Sequence, residues 1–255
     1  MKKVILLMVA LLAIASLATA QQKDNDDHNY NHNDGWGGKK VVGQGSTVKE
    51  ARDVKDFTGL QSAIGADVYL KQTPNFKVTI EGQKNILDLL KTELKNGTLK
   101  ISFEKGYSIH YKQALKVYIE APNFEFLGMS GSGNVVSENV LSSDKLKIDI
   151  SGSGDFNLAD LSVKTLSLNI SGSGDVKMGG TAESVDLRIS GSGDVKAANL
   201  KTQKAICNVS GSGNISCNVK ETLEAYVSGS GDIRYSGSPA SVKTRVTGSG
   251  DIKAD

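Results

Sequence analysis

The chain has 255 residues, with 30 Lys plus Arg against 28 Asp plus Glu, 28 glycines, three prolines, two cysteines and one tryptophan. Two of the basic residues, Lys2 and Lys3, stand at the extreme N-terminus, so the remainder is neutral overall. That balance argues against nucleic acid or an anionic membrane as a broad electrostatic partner, and the length suits one domain with a continuous core.

Met1 to Ala20 opens with two lysines, continues with an apolar run from Val4 to Leu12 and beyond, and ends in Ala18-Thr19-Ala20. These are the n-region, h-region and small-residue cleavage site of a secretory signal peptide, and cleavage leaves Gln21 as the mature N-terminus. The apolar run lies near the lower length limit for a bilayer span, and no membrane span is expected after cleavage. Residues 21–40 are rich in Asn, Asp and His and too polar to bury a core, which predicts a flexible tether. The alternative there is a metal held weakly by His28 and His32 among Asp24, Asp26, Asp27 and Asp34.

Residues 41–126 read as an irregular N-terminal β region. Short alternating apolar runs such as Val68/Leu70, Val78/Ile80 and Leu99/Ile101/Phe103 are separated by turn signals, Thr73-Pro74-Asn75 and Asn96-Gly97. The apolar spacing at 86, 87, 89, 90 and 94 predicts a short helix from Asn85 to Leu94, capped by the Asn and ended by Asn96-Gly97. This region is expected to begin the next one or to cap it.

From residue 127 to Asp255 one unit repeats. Its cores, SGSGD or a near copy, start at residues 130, 151, 171, 190, 210, 228 and 247, so neighbours are 18–21 residues apart. One position before the core stand Ile150, Ile170, Ile189, Val209, Val227 and Val246. Three before stand Ile148, Leu168, Leu187, Cys207, Ala225 and Thr244; five before stand Leu146, Leu166, Val185, Ala205, Leu223 and Val242. Polar residues fall between, and the alternation resumes after the core with Phe156/Leu158, Val176/Met178 and Val195/Ala197. A period of two with β-branched residues is a strand with one buried face. A unit of about 19 residues cannot bury that face alone, so equivalent strands must stack. The expected fold is all-β: a right-handed parallel β-helix with SGSGD corners, where glycines permit positive φ and Ser, Asp and Asn bond to turn backbone.

Phe57-Thr58-Gly59-Leu60, Gly65-Ala66-Asp67-Val68, Asn96-Gly97-Thr98-Leu99-Lys100-Ile101 and the SGSGD series together resemble the putative auto-transporter adhesin, head GIN domain family of exported proteins, common in Bacteroidetes. The resemblance runs from about Val41 to Asp255. It implies a β-helical head, export and an adhesive role, and it supplies no catalytic residues. No barrel-forming segment follows Asp255 in this sequence, so self-transport is not expected of it.

Candidate chemistry is sparse. Asp155, Asp175, Asp194, Asp232 and Asp251, with Asn134 and Asn214, should form a corner ladder. Solvated turn caps are the favoured reading and a calcium ladder the alternative, since stacked like charges repel. Cys207 and Cys217 flank one corner at inward positions, where they either pair as a disulfide in an oxidising compartment or fill space as Ala197 and Ala225 do. His110 reads as a lone surface histidine between strands. Tyr107, Tyr111, Tyr118 and Phe124 are packing residues with an aromatic platform for sugar as the alternative. No cofactor and no metal site is predicted.

The functional expectation is therefore an exported, non-enzymatic β-helix protein, an adhesin or cell-envelope scaffold located in the periplasm, at the cell surface or in the medium. Its partner would be a surface glycan or a protein, and an uncapped C-terminal coil would allow a weak homodimer. The alternative is a carbohydrate-active enzyme of polysaccharide lyase or hydrolase type, which would need paired carboxylates or a basic residue with a metal on adjacent coils.

Overall fold

In the regular region the rows read from the sequence are the rows of the molecule. The computed structural model describes residues 38–255; the signal peptide, nearly all of the tether and the His28/His32 cluster lie outside the described residues. The irregular region comprises β1 (Lys39–Val42), β2 (Thr47–Arg52), β3 (Gly59–Ser62), β4 (Asp67–Gln72), β5 (Lys77–Gln83), α1 (Lys84–Leu87), β6 (Leu90–Lys95), β7 (Thr98–Phe103), β8 (Tyr107–His110), β9 (Lys116–Ala121) and β10 (Phe126–Met129). The coils continue as β11 (Val135–Ser137), β12 (Leu141–Ile150), β13 (Phe156–Ile170), β14 (Val176–Ile189), β15 (Val195–Val209), β16 (Ile215–Val227), β17 (Ile233–Ser236), β18 (Ser241–Val246) and β19 (Ile252–Ala254).

All strand pairings from β10 onward are parallel. They stack as a β-solenoid of about six turns. In β13, three stretches pair in turn with β14: Phe156–Leu158 with Val176–Met178, Leu161–Val163 with Gly180–Ala182, and Thr165–Ile170 with Ser184–Ile189. Between them the in-out alternation is broken by two consecutive exposed residues, at 159–160 and 164–165, which is how a strand turns to a new face while keeping its inward side inward. Inside, the ladder Ile150, Ile170, Ile189, Val209, Val227 continues without a slip, and each member is at most 2% exposed. Burying such a row stabilises by roughly 1.5–3 kcal/mol per aliphatic side chain, and the stacked backbone leaves few unpaired groups between coils.

The N-terminal region closes one end. The first turn is made by β3, which pairs with β10 through Leu60↔Leu127, and β4, which pairs with β11 through Val68↔Val135. Beyond it lie β7 and β9, parallel to β3 and β4. The direction then reverses, because β6 is antiparallel to β7 and β5 is antiparallel to β9, with β2 antiparallel to β5. The link between β5 and β6 is α1, whose Ile86 and Leu87 are fully buried. A parallel stack thus ends in antiparallel hairpins and one helical turn rather than in an open parallel edge.

Three sequence expectations are corrected by the structure. The helix expected over Asn85–Leu94 is only the four residues Lys84–Leu87, with Gln83 at its N-cap and no side-chain cap; Leu90–Lys95 is strand. Asn96 and Gly97, at φ 50° and 71°, form the two-residue turn of the β6–β7 hairpin instead of ending a helix. His110 is not between strands: it ends β8, which pairs in parallel with β1, so strand begins at Lys39, two residues inside the expected tether. Finally, of the seven SGSG-type corners only the last uses positive φ, at Gly248; the glycines of the others serve a different purpose.

Candidate functional site

The corner glycines are there because the coils touch. A Cβ on Gly172 would overlap the carbonyl oxygen of Gly152 in the coil below, and Gly191 meets Gly172 in the same way. The second glycine repeats the pattern, with Gly174 over Gly154 and Gly193 over Gly174. Backbone bonds run along the same seam, for example Ser173 N–H to Gly152 O at 3.1 Å and Ser192 N–H to Gly172 O at 3.1 Å. Any side chain at these glycines would wedge adjacent coils apart.

From Asp155 onward, the Asp or Asn closing each corner satisfies the backbone of the next. Asp175 N–H donates to Asp155 Oδ1 at 2.8 Å, Asp194 N–H to Asp175 Oδ1 at 2.9 Å and Asn214 N–H to Asp194 Oδ1 at 2.8 Å. The chain continues from Asp232 N–H to Asn214 Oδ1 and from Asp251 N–H to Asp232 Oδ1, both at 2.9 Å. Asn214 also donates its amide Nδ2–H to Asp194 at 2.9 Å, so a neutral residue interrupts the run of charge. The free carboxylate oxygens meet cations at Lys196–Asp175 and Lys253–Asp251, both 2.7 Å. Burial pushes the Asp175 carboxyl up, but Lys196 and the Asp194 N–H outweigh it and hold the group below the usual range. Among the described residues no group of three or more His, Cys, Asp or Glu side chains converges as metal ligands would.

An equivalent bond stands one turn before the repeats, although no such bond joins Asn134 to Asp155. Asn134 donates its amide Nδ2–H to Asp67 Oδ1 at 2.8 Å, and Gly131 and Gly133 sit over Ile64 and Ala66. Ala63 to Asp67 is therefore a first corner, with no glycine at either contact position. Ile64 and Ala66 are 3% and 1% exposed and packed in the core, since no tight corner lies beneath them. In the sequence this corner leaves one signal, Asp67 before the Val68/Leu70 alternation.

On another side, a groove of about 910 Å³ runs across the rungs of β12 to β16 and reaches Gly237 and Ser238 of the next coil. One flank is the outward register row Ser142, Ser162, Thr181, Lys201 and Asn218, one residue from each of β12 to β16, and the more buried row Ser143, Val163, Ala182, Thr202 and Val219 lies at its base. At about 4.8 Å per rung each row spans roughly 19 Å. Asp144, Lys164, Glu183 and Lys220 line one wall, with Lys164 bonded to Asp144 at 2.8 Å. Signs alternate along that wall, so the groove is neither an acidic nor a basic channel. Aligning the repeats on their apolar positions misses these residues, because it leaves the outward ones as generic polar surface.

The aromatic platform is not assembled. Phe124 is buried in the core, Tyr107 lies in β8, and Tyr111 donates its hydroxyl to Gly65 O. Tyr118 instead stacks on Tyr69, with ring centroids 5.1 Å apart and planes at 15°. Lys49 lies 5.4 Å from the Tyr118 ring centre and Glu81 accepts the Tyr118 hydroxyl bond, so this pair is tied within the cap. Cys207 and Cys217 are both buried, as thiols, with sulfurs 3.9 Å apart.

The same architecture occurs in known proteins. The family described as "putative auto-transporter adhesin, head GIN domain" matches residues 56–239. A solved structure of a putative adhesin from Bacteroides fragilis is similar, with 29% identity, 84% of this chain and 100% of that one covered, and a TM-score of 0.82. A putative lipid binding protein from Parabacteroides distasonis shares the fold at 24% identity, covering 85% of this chain and 100% of its own, TM-score 0.72. A putative adhesin from Parabacteroides merdae does so at 22% identity, 85% and 99% coverage, TM-score 0.68. No curated protein matches the chain. Since the match to residues 56–239 takes in most of the chain, from the first corner through the solenoid coils, the chain belongs to the auto-transporter adhesin, head GIN domain family.

Proposed function

We propose that this chain is an exported, non-enzymatic adhesin whose binding surface is the side groove, and that it takes an extended polymer laid along the solenoid axis. The observation that carries this reading is the row of small hydroxyl and amide side chains from Ser142 to Asn218, repeated at the spacing of the rungs. Short, exposed Ser and Thr leave room for a chain and offer both donors and acceptors, while Lys201 at the row's fourth position adds a cation. A surface glycan is the occupant that fits best, with an extended protein segment as the other class. The corner ladder is a weaker candidate, because from Asp155 to Asp232 one oxygen of each side chain is already engaged by the next coil's backbone.

An enzymatic reading finds little support in the charges. A general acid needs a carboxyl held above its ordinary range, yet Glu93, Asp175 and Glu224 are all shifted down by neighbouring donors and cations. Export is consistent with family membership, and it predicts a secreted or surface-held product beginning at Gln21.

The test is binding of the mature chain, Gln21 to Asp255, to an array of glycans and matrix proteins, with and without a calcium chelator. Saturable binding to one class is expected, insensitive to chelation and weakened at least tenfold by Thr181→Arg with unchanged circular dichroism. Silence across the array, or binding that Thr181→Arg leaves intact, would remove the groove from consideration.

A further inference from the structure

Two inward side chains meet across the corner Ser210–Asn214: Cys207, 0% exposed, and Cys217, 2% exposed. Their sulfurs are 3.9 Å apart, and both are otherwise surrounded by apolar rows. Cys207 stacks between Leu187 and Ala225, and Cys217 between Ala197 and Tyr235. Equivalent positions one coil away hold Leu187 and Ala197, a pair that fills the same space with no reactive atom. Two sulfurs facing each other at this one level therefore do more than the packing requires.

We propose that Cys207 and Cys217 are joined by a disulfide in the mature protein, a covalent staple between two faces of one coil. The proposal rests on the exported location proposed above, since an oxidising compartment is where such a bond persists. A disulfide has sulfurs about 2.05 Å apart, so the pair must close by roughly 2 Å. Ala225 beside Cys207 and Ala197 beside Cys217 each present a single methyl group, which leaves space for that rotation. The bond forms by exchange with an external disulfide, either a small disulfide such as oxidised glutathione or an oxidoreductase. One cysteine thiolate attacks a sulfur of that oxidant and expels a thiolate; the other cysteine then displaces the second. The protein loses two protons and two electrons, and the oxidant leaves as two thiols.

Timing follows from burial. In the closed coil the Cys207 thiol is held far toward its protonated form, by its bond to Cys217 and by desolvation, and no oxidant reaches it. Oxidation therefore occurs before the coil closes over the pair, and the finished bond is shielded from reductants.

The test is to refold the reduced, denatured mature chain in a glutathione redox buffer, denature again without reductant, and count thiols by alkylation and intact mass. Expected is a monomer lighter by two hydrogen atoms with no alkylated cysteine, whose melting point falls by roughly 5–10 °C on reduction. The Cys207→Ala, Cys217→Ala double variant, matching alanines already present in the rows, should fold and lose the dependence on reductant. Two alkylatable thiols in the refolded protein, or disulfides only between chains, would overturn the proposal. A bond that forms in this buffer but is missing from protein recovered from exporting cells would count against the exported location, while the pairing geometry stands.

Discussion

The first corner and the later corners perform the same turn with opposite residues at the contact positions. At Ala63–Asp67 the two positions facing the coil below are Ile64 and Ala66, buried among core side chains; at Ser171–Asp175 they are Gly172 and Gly174, pressed against backbone. What differs is only what lies underneath. Beneath the first corner the chain leaves for β8 and returns at β9, opening a space that apolar side chains fill; beneath every later corner sits another corner. The paired glycines of the repeat are thus a contact requirement between copies, and they disappear where the copy below is missing.

Exchanging the residue types at the two kinds of corner tests this contrast most severely. Ile64→Gly removes a buried side chain from a site that cannot collapse onto a neighbouring corner, and about 4 kcal/mol of stability should be lost. Gly172→Ala, although it adds only a methyl group, must push adjacent coils apart and should cost about 3 kcal/mol. Gly97→Ala in the cap is the control, because nothing lies within 4 Å of its Cβ and the φ of 71° alone opposes it, at about 1–2 kcal/mol. Urea titrations of the three variants give the ranking. If Gly172→Ala proved no worse than Gly97→Ala, the contact account of the corners would be wrong and the conformational one would return.

These corners also show where the fold is legible in the sequence. Alignment on SGSG places Ile150, Ile170, Ile189, Val209 and Val227 in one row, and the registers reproduce it residue for residue. Periodicity of two reports burial directly, and identical copies report stacking. It cannot report why glycine is needed, since close approach and positive φ both select the same residue. Nor can it find Ala63–Asp67, which keeps the turn and loses both contact glycines. In the cap the failure is of another kind. The spacing of Ile86, Leu87, Leu89, Leu90 and Leu94 fits one face of a helix, but pairing with β7 takes Leu90–Lys95 into a hairpin and leaves Leu94 46% exposed. Local period loses to a long-range partner. The groove is invisible for a simpler reason, since small polar residues in a row acquire meaning only when the rungs are superposed.

A smaller effect separates the two functions of the corner carboxylates. Asp194→Ala strands the Asn214 backbone N–H and the Asn214 amide, and should cost about 1 kcal/mol. Asp194→Asn keeps an acceptor oxygen and should be nearly neutral, as Asn214 itself shows by accepting from Asp232. Loss of stability with both variants would mean that charge, rather than the acceptor, holds the ladder. Charge does matter at Asp175, whose carboxyl is held below its ordinary 3.8 by Lys196 and the Asp194 N–H against the opposing effect of burial. A depressed carboxyl contributes stability above 3.8 and loses it as pH falls through the lower folded value. Lys196→Gln should therefore be less stable than the parent at neutral pH, and the gap should close in acid, as the pH falls through the lowered folded value and Asp175 becomes protonated in both. A gap constant through that fall in pH would assign the effect of Lys196 to packing.

The smallest expected effect lies at the other end of the stack, where the cap has no counterpart among the described residues. β18 pairs with β16 along one edge, and its inward row is open: Val242 is 43% exposed and Val246 44%, although they continue the rows of Leu223 and Val227. Such an edge invites a second copy. Two copies of Ser241–Val246 paired antiparallel about Thr244 would bury both valines but set Lys243 of one against Arg245 of the other, and like charges directly opposite are unfavourable. The contact should therefore be weak at low ionic strength and strengthen as salt screens the cations, the reverse of an attractive ion-pair interface. Light scattering over a range of protein and salt concentrations measures this, with Val242→Lys expected to hold the chain monomeric throughout. Association that weakens with salt would place the contact elsewhere on the surface, and a monomer at every concentration would mean that Lys243 and Arg245 are enough to keep this edge alone.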